Sequence, residues 1–127
     1  MFQLHSMYGN WTPAIDIYKV QNAWLVYVEL PGLSSSDIEL IAFPDGFAIG
    51  GIRKPPEKGL IAEKLEILTG AFHREIHLPG KIDIPEVTAS MKNGVLCIKL
   101  PELNQTSIRV SVISHREFAI TIKDRGE

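Results

Sequence analysis

The residues with the most versatile chemistry in this chain are four histidines and a single cysteine. His73 and His77 share one face of a predicted strand, but four residues along an extended strand span roughly 13 Å. One metal ion cannot bridge that distance. The other two histidines are His5 and His115. We therefore expect surface histidines, with no metal site and no cofactor.

The candidate nucleophiles and carboxylate pairs show no catalytic pattern. Cys97 lies in the middle of a predicted strand, and no local sequence pairs it with the histidine that an active thiol needs. The serines at 34–36 precede Asp37 in a turn, without the Gly-x-Ser-x-Gly pattern of a nucleophile elbow. Glu63 and Glu66 occur among charged surface positions. We expect that the protein is not an enzyme.

Composition and charge exclude several classes of protein. The chain has 127 residues, 45% of them hydrophobic and 22% charged, which is typical of one globular domain. Its 13 basic and 15 acidic residues give a net charge of −2, so we expect no nucleic-acid or membrane partner. No apolar run is long enough to span a bilayer, and the first residues do not resemble a secretory signal. Because a single cysteine forms no bridge within the chain, we expect a reducing compartment, most simply the cytoplasm.

Short apolar segments separated by turns predict a β protein. Ten glycines and eight prolines fall between segments rich in β-branched residues, which leaves few windows long enough for a helix. The predicted strands are 14–20, 23–30, 37–43, 47–53, 60–66, 71–78, 86–91 and 95–100. The strand at 60–66 is the weakest of these, and 60–72 also fits a helix.

Turn residues indicate how these strands are connected. Asn93 and Gly94 lie between two alternating strands, and this pair favours the left-handed backbone of a type I′ hairpin. Pro31 and Gly32 end an apolar strand, and Pro101 ends the last one. Seven or eight short strands with regular turns predict an all-β, immunoglobulin-like antiparallel β-sandwich.

Three segments, in order, resemble a known family. They are IDIY, LVYVELPG and DI within 15–38; GAFHR and LP within 70–79; and ASMKNGVL and IKLP within 89–101. Together they resemble the α-crystallin domain of small heat-shock proteins, of the bacterial and plant type. The resemblance divides the chain into a short N-terminal arm (1–10), an α-crystallin domain (11–101) and a C-terminal extension (102–127).

The resemblance implies an ATP-independent holdase of the stress response, which binds partly unfolded client proteins through apolar surface and prevents their aggregation. Such binding needs no covalent chemistry, because burial of apolar area stabilises the complex by roughly 25 cal/mol per Å². Two alternatives from other classes stay open. One is a co-chaperone or adaptor sandwich that binds one folded partner, and the other is a self-assembling protein with little chaperone activity.

The resemblance also implies that the protein's first partner is a second copy of itself. In this type of relative a loop strand, here about 60–66, is exchanged and pairs with the partner's strand, here about 16–20. Arg74 matches a family arginine that pairs with a carboxylate near the interface, and the plainer alternative is a surface arginine. The dimer-interface residues implied are Asp16, Ile17, Tyr18, Leu60, Ile61, Ala62, Glu63, Lys64 and Arg74. Because the N-terminal arm is short, we expect a homodimer or a small higher oligomer.

The resemblance also implies a second contact between subunits, made by a tail motif of the Ile-x-Ile/Val type. Two side chains at period-2 spacing project from one face of an extended segment and enter an apolar groove of a neighbouring subunit. We favour Ile120 and Ile122 over the alternative, Ile108 and Val110. A third possibility is that 107–113 and 118–122 form an extra hairpin on their own domain. The implied groove residues are Ile38, Leu40, Val87, Ala89 and Ile98.

Overall fold

Nine strands and two short 3-10 turns make up the computed structural model, which describes residues 11–104 and 117–125. The strands are β1 (Ile15–Val20), β2 (Ala23–Glu29), β3 (Ile38–Phe43), β4 (Gly46–Arg53), β5 (Gly70–His77), β6 (Thr88–Lys92), β7 (Val95–Pro101), β8 (Phe118–Ala119) and β9 (Ile122–Asp124). The 3-10 turns are Ser35–Asp37 and Ile84–Glu86. Within the described residues, no helix has the length and apolarity needed to cross a membrane.

Two sheets form a β-sandwich. One sheet has five strands in the order β1-β2-β7-β6-β9, and the other has four in the order β5-β4-β3-β8. All neighbouring strands are antiparallel except β6 and β9, which run parallel. The predicted all-β sandwich is therefore confirmed.

The core lies between the sheets because apolar residues alternate along the central strands. In β2, Trp24, Val26 and Val28 are buried, and in β7 the buried residues alternate in the same way. β2 and β7 are neighbours in register from end to end, so their inward side chains form one continuous apolar layer. No polar or charged residue of the described part of the chain is buried with them.

The hairpin predicted from Asn93 and Gly94 is confirmed. Their φ angles are 54° and 76°, and both positive values are what a type I′ turn requires. The turn packs against the end of β2, where the Leu30 N–H donates a hydrogen bond to the Gly94 carbonyl oxygen at 2.7 Å. This contact links two of the sequence segments that carry the family resemblance.

The predicted strand at 60–66 is wrong for the single chain, and so is the helix that 60–72 could have formed. The connection between β4 and β5, residues 54–69, contains neither a strand nor a helix. An extended segment becomes a strand only when a neighbouring strand supplies its backbone hydrogen-bond partners. None of the nine strands in the described part of the chain pairs with 60–66.

Two strands follow the last predicted strand, and both lie in the predicted C-terminal extension. β8 pairs with β3 in the four-stranded sheet, and β9 pairs with β6 in the five-stranded sheet. The tail segment 117–125 therefore joins the two sheets along the side of the sandwich where β3 and β6 would otherwise be edge strands.

Candidate functional site

The strand edges on opposite sides of the sandwich are its candidate interaction surfaces. On one side, β1 and β5 are the outermost strands of their sheets. On the other side, the tail segment lies over the groove between β3 and β6, which we call the tail groove. The residues predicted for the dimer interface and for tail docking fall on these two sides.

Backbone hydrogen bonds hold the tail in the tail groove. The Ile120 N–H donates to the Leu40 carbonyl oxygen at 2.8 Å, and the Arg125 N–H donates to the Met91 carbonyl oxygen at 2.7 Å. Between these two points β9 runs parallel to β6, with Ile122 opposite Ala89. The tail therefore extends both sheets by addition of a strand, and its backbone polar groups gain partners.

The predicted anchor residues and the predicted groove residues come together in one chain. Ile120 and Ile122 are partly buried and pack against the hydrophobic core. Leu40 and Ala89, one from each sheet, are buried and adjoin Ile120 and Ile122 through the backbone contacts just described. Of the other predicted groove residues, Val87 is buried and Ile38 is partly buried against the same core. Ile98 lies on β7, paired with Ala89, and is fully buried.

The predicted occupant of this groove was the tail of a neighbouring subunit, whereas here it is the chain's own tail. The contacts with the groove are made by residues of 117–125. The alternative motif, Ile108 and Val110, lies outside the described residues. So does 107–113, the other half of the possible hairpin.

A polar contact that sequence analysis missed fixes the far end of the tail. Asp124 accepts hydrogen bonds from the Ser35 hydroxyl at 2.6 Å and from the Ser35 N–H at 3.3 Å. Ser35 opens a 3-10 turn that is held in shape by the Ser34 N–H donating to the Asp37 carboxylate at 2.9 Å. The two partners are 89 residues apart, so no local pattern pairs them.

The edge of β1 is open along its outer side. Among the described residues β1 pairs only with β2, and Asp16, Ile17 and Tyr18 are all exposed. Tyr18, 54% exposed, lies edge-on to Tyr27 with their ring centroids 6.0 Å apart. An open edge with apolar side chains is a template for another strand.

The predicted loop strand is not brought to this edge within the chain. Leu60, Ala62 and Glu63 are exposed, and Ile61 is 92% exposed. Lys64 forms a solvent-exposed ion pair with Glu66, with 3.4 Å between the Lys64 Nζ and the Glu66 carboxylate. Leu65, Ile67 and Leu68 are exposed as well. The loop is therefore an aliphatic surface without a partner strand among the described residues.

Arg74 positions the start of β1. Its guanidinium donates a hydrogen bond to the Pro13 carbonyl oxygen at 2.9 Å and is partly buried. Nearby, Trp11 lies edge-on to Phe72 of β5, with ring centroids 4.8 Å apart, and Arg53 lies 3.9 Å above the Trp11 ring. The expected carboxylate partner is thus a backbone carbonyl in the single chain, and Arg74 is not a plain surface arginine.

Both histidines of β5, His73 and His77, are exposed. No three His, Cys, Asp or Glu residues converge to hold an ion in the described part of the chain. The His77 ring lies between two carboxylates, with Nδ1 3.3 Å from Asp45 and Nε2 3.0 Å from Glu75. The hydrogen bonds to Asp45 and then to Glu75 raise the pKa of His77 above its ordinary value.

We expect the His77→Gln variant to lose a pH-dependent part of the free energy of unfolding. Because the folded-state pKa lies above the ordinary 6.5, imidazolium pairing stabilises the fold below that value and is lost as pH rises through the folded-state pKa. Urea unfolding should therefore show a larger deficit for the variant at about pH 5 than at about pH 9. Asp45→Asn should reduce the same pH dependence, and an equal deficit at both pH values would contradict the assignment.

We expect Asp124→Ala to loosen the tail without unfolding the sandwich. Loss of the Ser35 contacts, which are exposed, should cost about 0.5–1 kcal/mol. Amide hydrogen exchange at Ile120 and Arg125 should become a few-fold faster, whereas exchange in β2 and β7 should be unchanged. Asp16→Ala, at the opposite edge, is the control. Unchanged exchange at both tail amides would show that the Ser35 contact does not hold the tail.

Comparison with known proteins gives one consistent result. A sequence profile of the Hsp20/alpha crystallin family matches residues 16–117. Small heat shock protein C4 of Rickettsia felis is 31% identical over 105 residues, which are 81% of this chain and 64% of that protein. Spore protein SP21 of Stigmatella aurantiaca is 33% identical over 93 residues, 71% of this chain and 54% of that protein. The chain thus spans less than two thirds of these two relatives.

Comparison with solved structures matches the chain to the fold of small heat-shock proteins. A small heat-shock protein from Xylella fastidiosa, described as having a distinct high order structure, superposes with a TM-score of 0.68 at 33% identity. The match covers 76% of this chain and 90% of that one. Heat shock protein 16.0 from Schizosaccharomyces pombe superposes with a TM-score of 0.66 at 28% identity, over 75% of this chain and 90% of that one.

Proposed function

The chain belongs to the Hsp20/alpha crystallin family, and from this premise we propose that it is an ATP-independent holdase chaperone. It would bind partly unfolded proteins through apolar surface and keep them from aggregating. The observation that carries this proposal is the aliphatic loop at 60–68, in which Ile61 is 92% exposed and Leu65 is 82% exposed. A side chain of this size contributes about 1.5–3 kcal/mol when it moves from water to full burial.

The function proposed is binding rather than catalysis. Burial of client apolar surface requires no nucleophile, proton donor or metal, and it is reversible because no bond is made. Cys97 is half-buried and free, which agrees with a reducing compartment, and we propose the cytoplasm.

The same loop supports a homodimer formed by strand exchange. β1 offers an open edge with exposed apolar side chains, and 60–66 has the composition of a strand but pairs with none of the described strands. Pairing 60–66 of one copy with β1 of the other would satisfy both sets of backbone groups through main-chain hydrogen bonds. Ile61 and Leu65 share one face of such an extended segment, and that face would stay available to a client. Arg74 would contribute by holding the backbone just before β1, so that the edge is presented in a fixed position.

Tail exchange between copies would then extend the dimer to a small assembly. The hydrogen bonds of Ile120 and Arg125, and the pairing of Ile122 with Ala89, depend on the tail and the groove and not on which copy supplies each. Within one chain the tail has a high effective concentration, which favours the closed arrangement in dilute solution. At higher protein concentration, the tail of a neighbouring copy would make the same contacts with little change in free energy.

We expect the purified full chain to suppress the aggregation of a heat-denatured client without nucleotide. Turbidity should fall with increasing chaperone and should not respond to ATP. Ile61→Ser combined with Leu65→Ser should weaken suppression about tenfold, because two exposed aliphatic contacts are lost. Lys54→Ser with Lys58→Ser, in the same connection, is the polar control. A wild-type chain that leaves client turbidity unchanged would contradict the holdase proposal.

We expect native mass from light scattering to separate the two modes of assembly. If tails exchange, the wild-type chain exceeds a dimer at high concentration, and Ile120→Ala with Ile122→Ala reduces it to a dimer because the groove contacts are weakened. Thr121→Ala with Lys123→Ala is the control, because it changes the tail residues that alternate with the two isoleucines. If both chains are dimers, the tail stays in its own groove or the alternative motif is used. Monomers throughout would refute the strand-exchanged dimer.

A further inference from the structure

Arg53 lies at the point where the connection 54–69 leaves the sandwich. It is the last residue of β4, and in the sheet it is paired with Gly70, the first residue of β5. The connection therefore leaves and rejoins the sandwich at adjacent positions. Because its two ends are neighbours, one side chain at this position can hold the far end of the connection as well as its own end.

The Arg53 guanidinium holds the far end of the connection by its backbone. Its Nε and Nη2 both donate hydrogen bonds to the Leu68 carbonyl oxygen, and the distance from Nε to that oxygen is 2.9 Å. Hydrogen bonds from a charged donor are stronger than those between neutral groups. The Leu68 side chain takes no part in this contact and is 57% exposed. Arg53 thus fixes the end of the aliphatic loop at 60–68 by the main chain alone.

The same guanidinium is anchored to the sandwich on its other sides. Its Nη1 donates to the Pro31 carbonyl oxygen at 3.3 Å, and its central carbon lies 3.9 Å from the centre of the Trp11 ring. Trp11 is buried and packs edge-on against Phe72 of β5. Arg53 therefore links the end of the connection to the turn after β2 and to the aromatic pair beside β5.

The geometry of this contact suits arginine and not lysine. A guanidinium offers several N–H donors in one plane together with a flat face that packs on an aromatic ring, whereas a lysine ammonium is a compact charge on a flexible stem. A lysine at this position would keep the charge but could not bond to Leu68 and Pro31 while also covering the Trp11 ring. The change from arginine to lysine therefore separates the effect of the donor fork from the effect of the charge.

A held end restricts where the aliphatic loop can lie. With the Leu68 carbonyl fixed, the residues before it depart from a defined point on the sandwich. Ordering a loop before it binds lowers the entropy that binding has to overcome. A loop released at this end would spend part of its time in positions that do not present Ile61 and Leu65 to a client.

We propose that Arg53 is a positioning residue for the chaperone, which holds the C-terminal end of the loop at 60–68 so that its aliphatic side chains stay available to a client. The proposal rests on the holdase function and adds to it a residue that does not itself contact the client. The role of Arg53 is separate from that of Arg74, which holds the start of β1. Because apparent affinity falls with the fraction of molecules in the competent arrangement, loss of the hold weakens client binding without removing an apolar contact.

Double electron–electron resonance on the full chain measures the hold directly, without a client. Glu66→Cys and Thr88→Cys, in a Cys97→Ser background, carry spin labels on the loop and on β6, and an excess of unlabelled chain leaves only the distances within one copy. Arg53→Met should broaden the distance distribution, because the end of the loop is released. Lys54→Met, which changes the exposed cation next in sequence, is the matched control and should leave the distribution unchanged. An equally narrow distribution in Arg53→Met would overturn the proposal.

Suppression of client aggregation tests whether the hold matters for function. Arg53→Met and Arg53→Lys should each weaken suppression about fivefold, while amide hydrogen exchange in β2 and β7 stays unchanged. Full suppression by Arg53→Lys would contradict the proposal, because the charge alone would then suffice, and this variant also serves if Arg53→Met does not fold. Faster exchange throughout β2 and β7 would show a general loss of stability and would refute the positioning role. A wild-type chain without suppression would refute the holdase proposal, whereas the resonance experiment would still decide whether Arg53 holds the loop.

Discussion

Open strand edges are the constraint on which the rest of this structure depends. Two sheets that do not close into a barrel leave edge strands, and the backbone N–H and C=O groups along each edge need a partner or water. In this chain β1 and β5 are at one side of the sandwich, while β8 and β9 of the tail complete the other. The candidate surfaces follow from this arrangement, because an exposed edge beside apolar side chains is a template for another strand.

A segment that replaces the tail in the tail groove has to match both its hydrogen-bonding groups and its apolar contacts. The carbonyl oxygens of Leu40 and Met91 accept tail hydrogen bonds, and β6 is paired along β9. A competing segment has to supply a similar ladder together with two side chains at the spacing of Ile120 and Ile122. An apolar surface alone is insufficient, since unpaired buried backbone groups are costly. The combined requirement for backbone pairing and for two correctly spaced side chains explains why the groove selects an Ile-x-Ile motif.

Much of the fold was predictable because it depends on local patterns. Alternation placed β2 and β7 with their core residues correctly, and Asn93 with Gly94 located the hairpin between β6 and β7. The predicted strand at 60–66 failed because strand character is a local property, whereas a strand also needs a paired neighbour, and none of the strands in 11–104 and 117–125 pairs with it. For the candidate site, the anchor pair was identified in the sequence, but the contact of Asp124 with Ser35 was not, since it joins positions 89 residues apart.

The sequence by itself determined the class of fold, the central strands with the hairpin between β6 and β7, and the family. Each of these is carried by spacing within a few residues, by turn types or by composition, which do not require knowledge of distant contacts. Only the tertiary structure decided that the tail occupies the groove of its own chain, that Arg74 donates to the Pro13 carbonyl oxygen, and that Ser35 meets Asp124. The physical reason is that strand pairing brings together residues far apart in sequence, and their proximity follows from the register of the whole sheet.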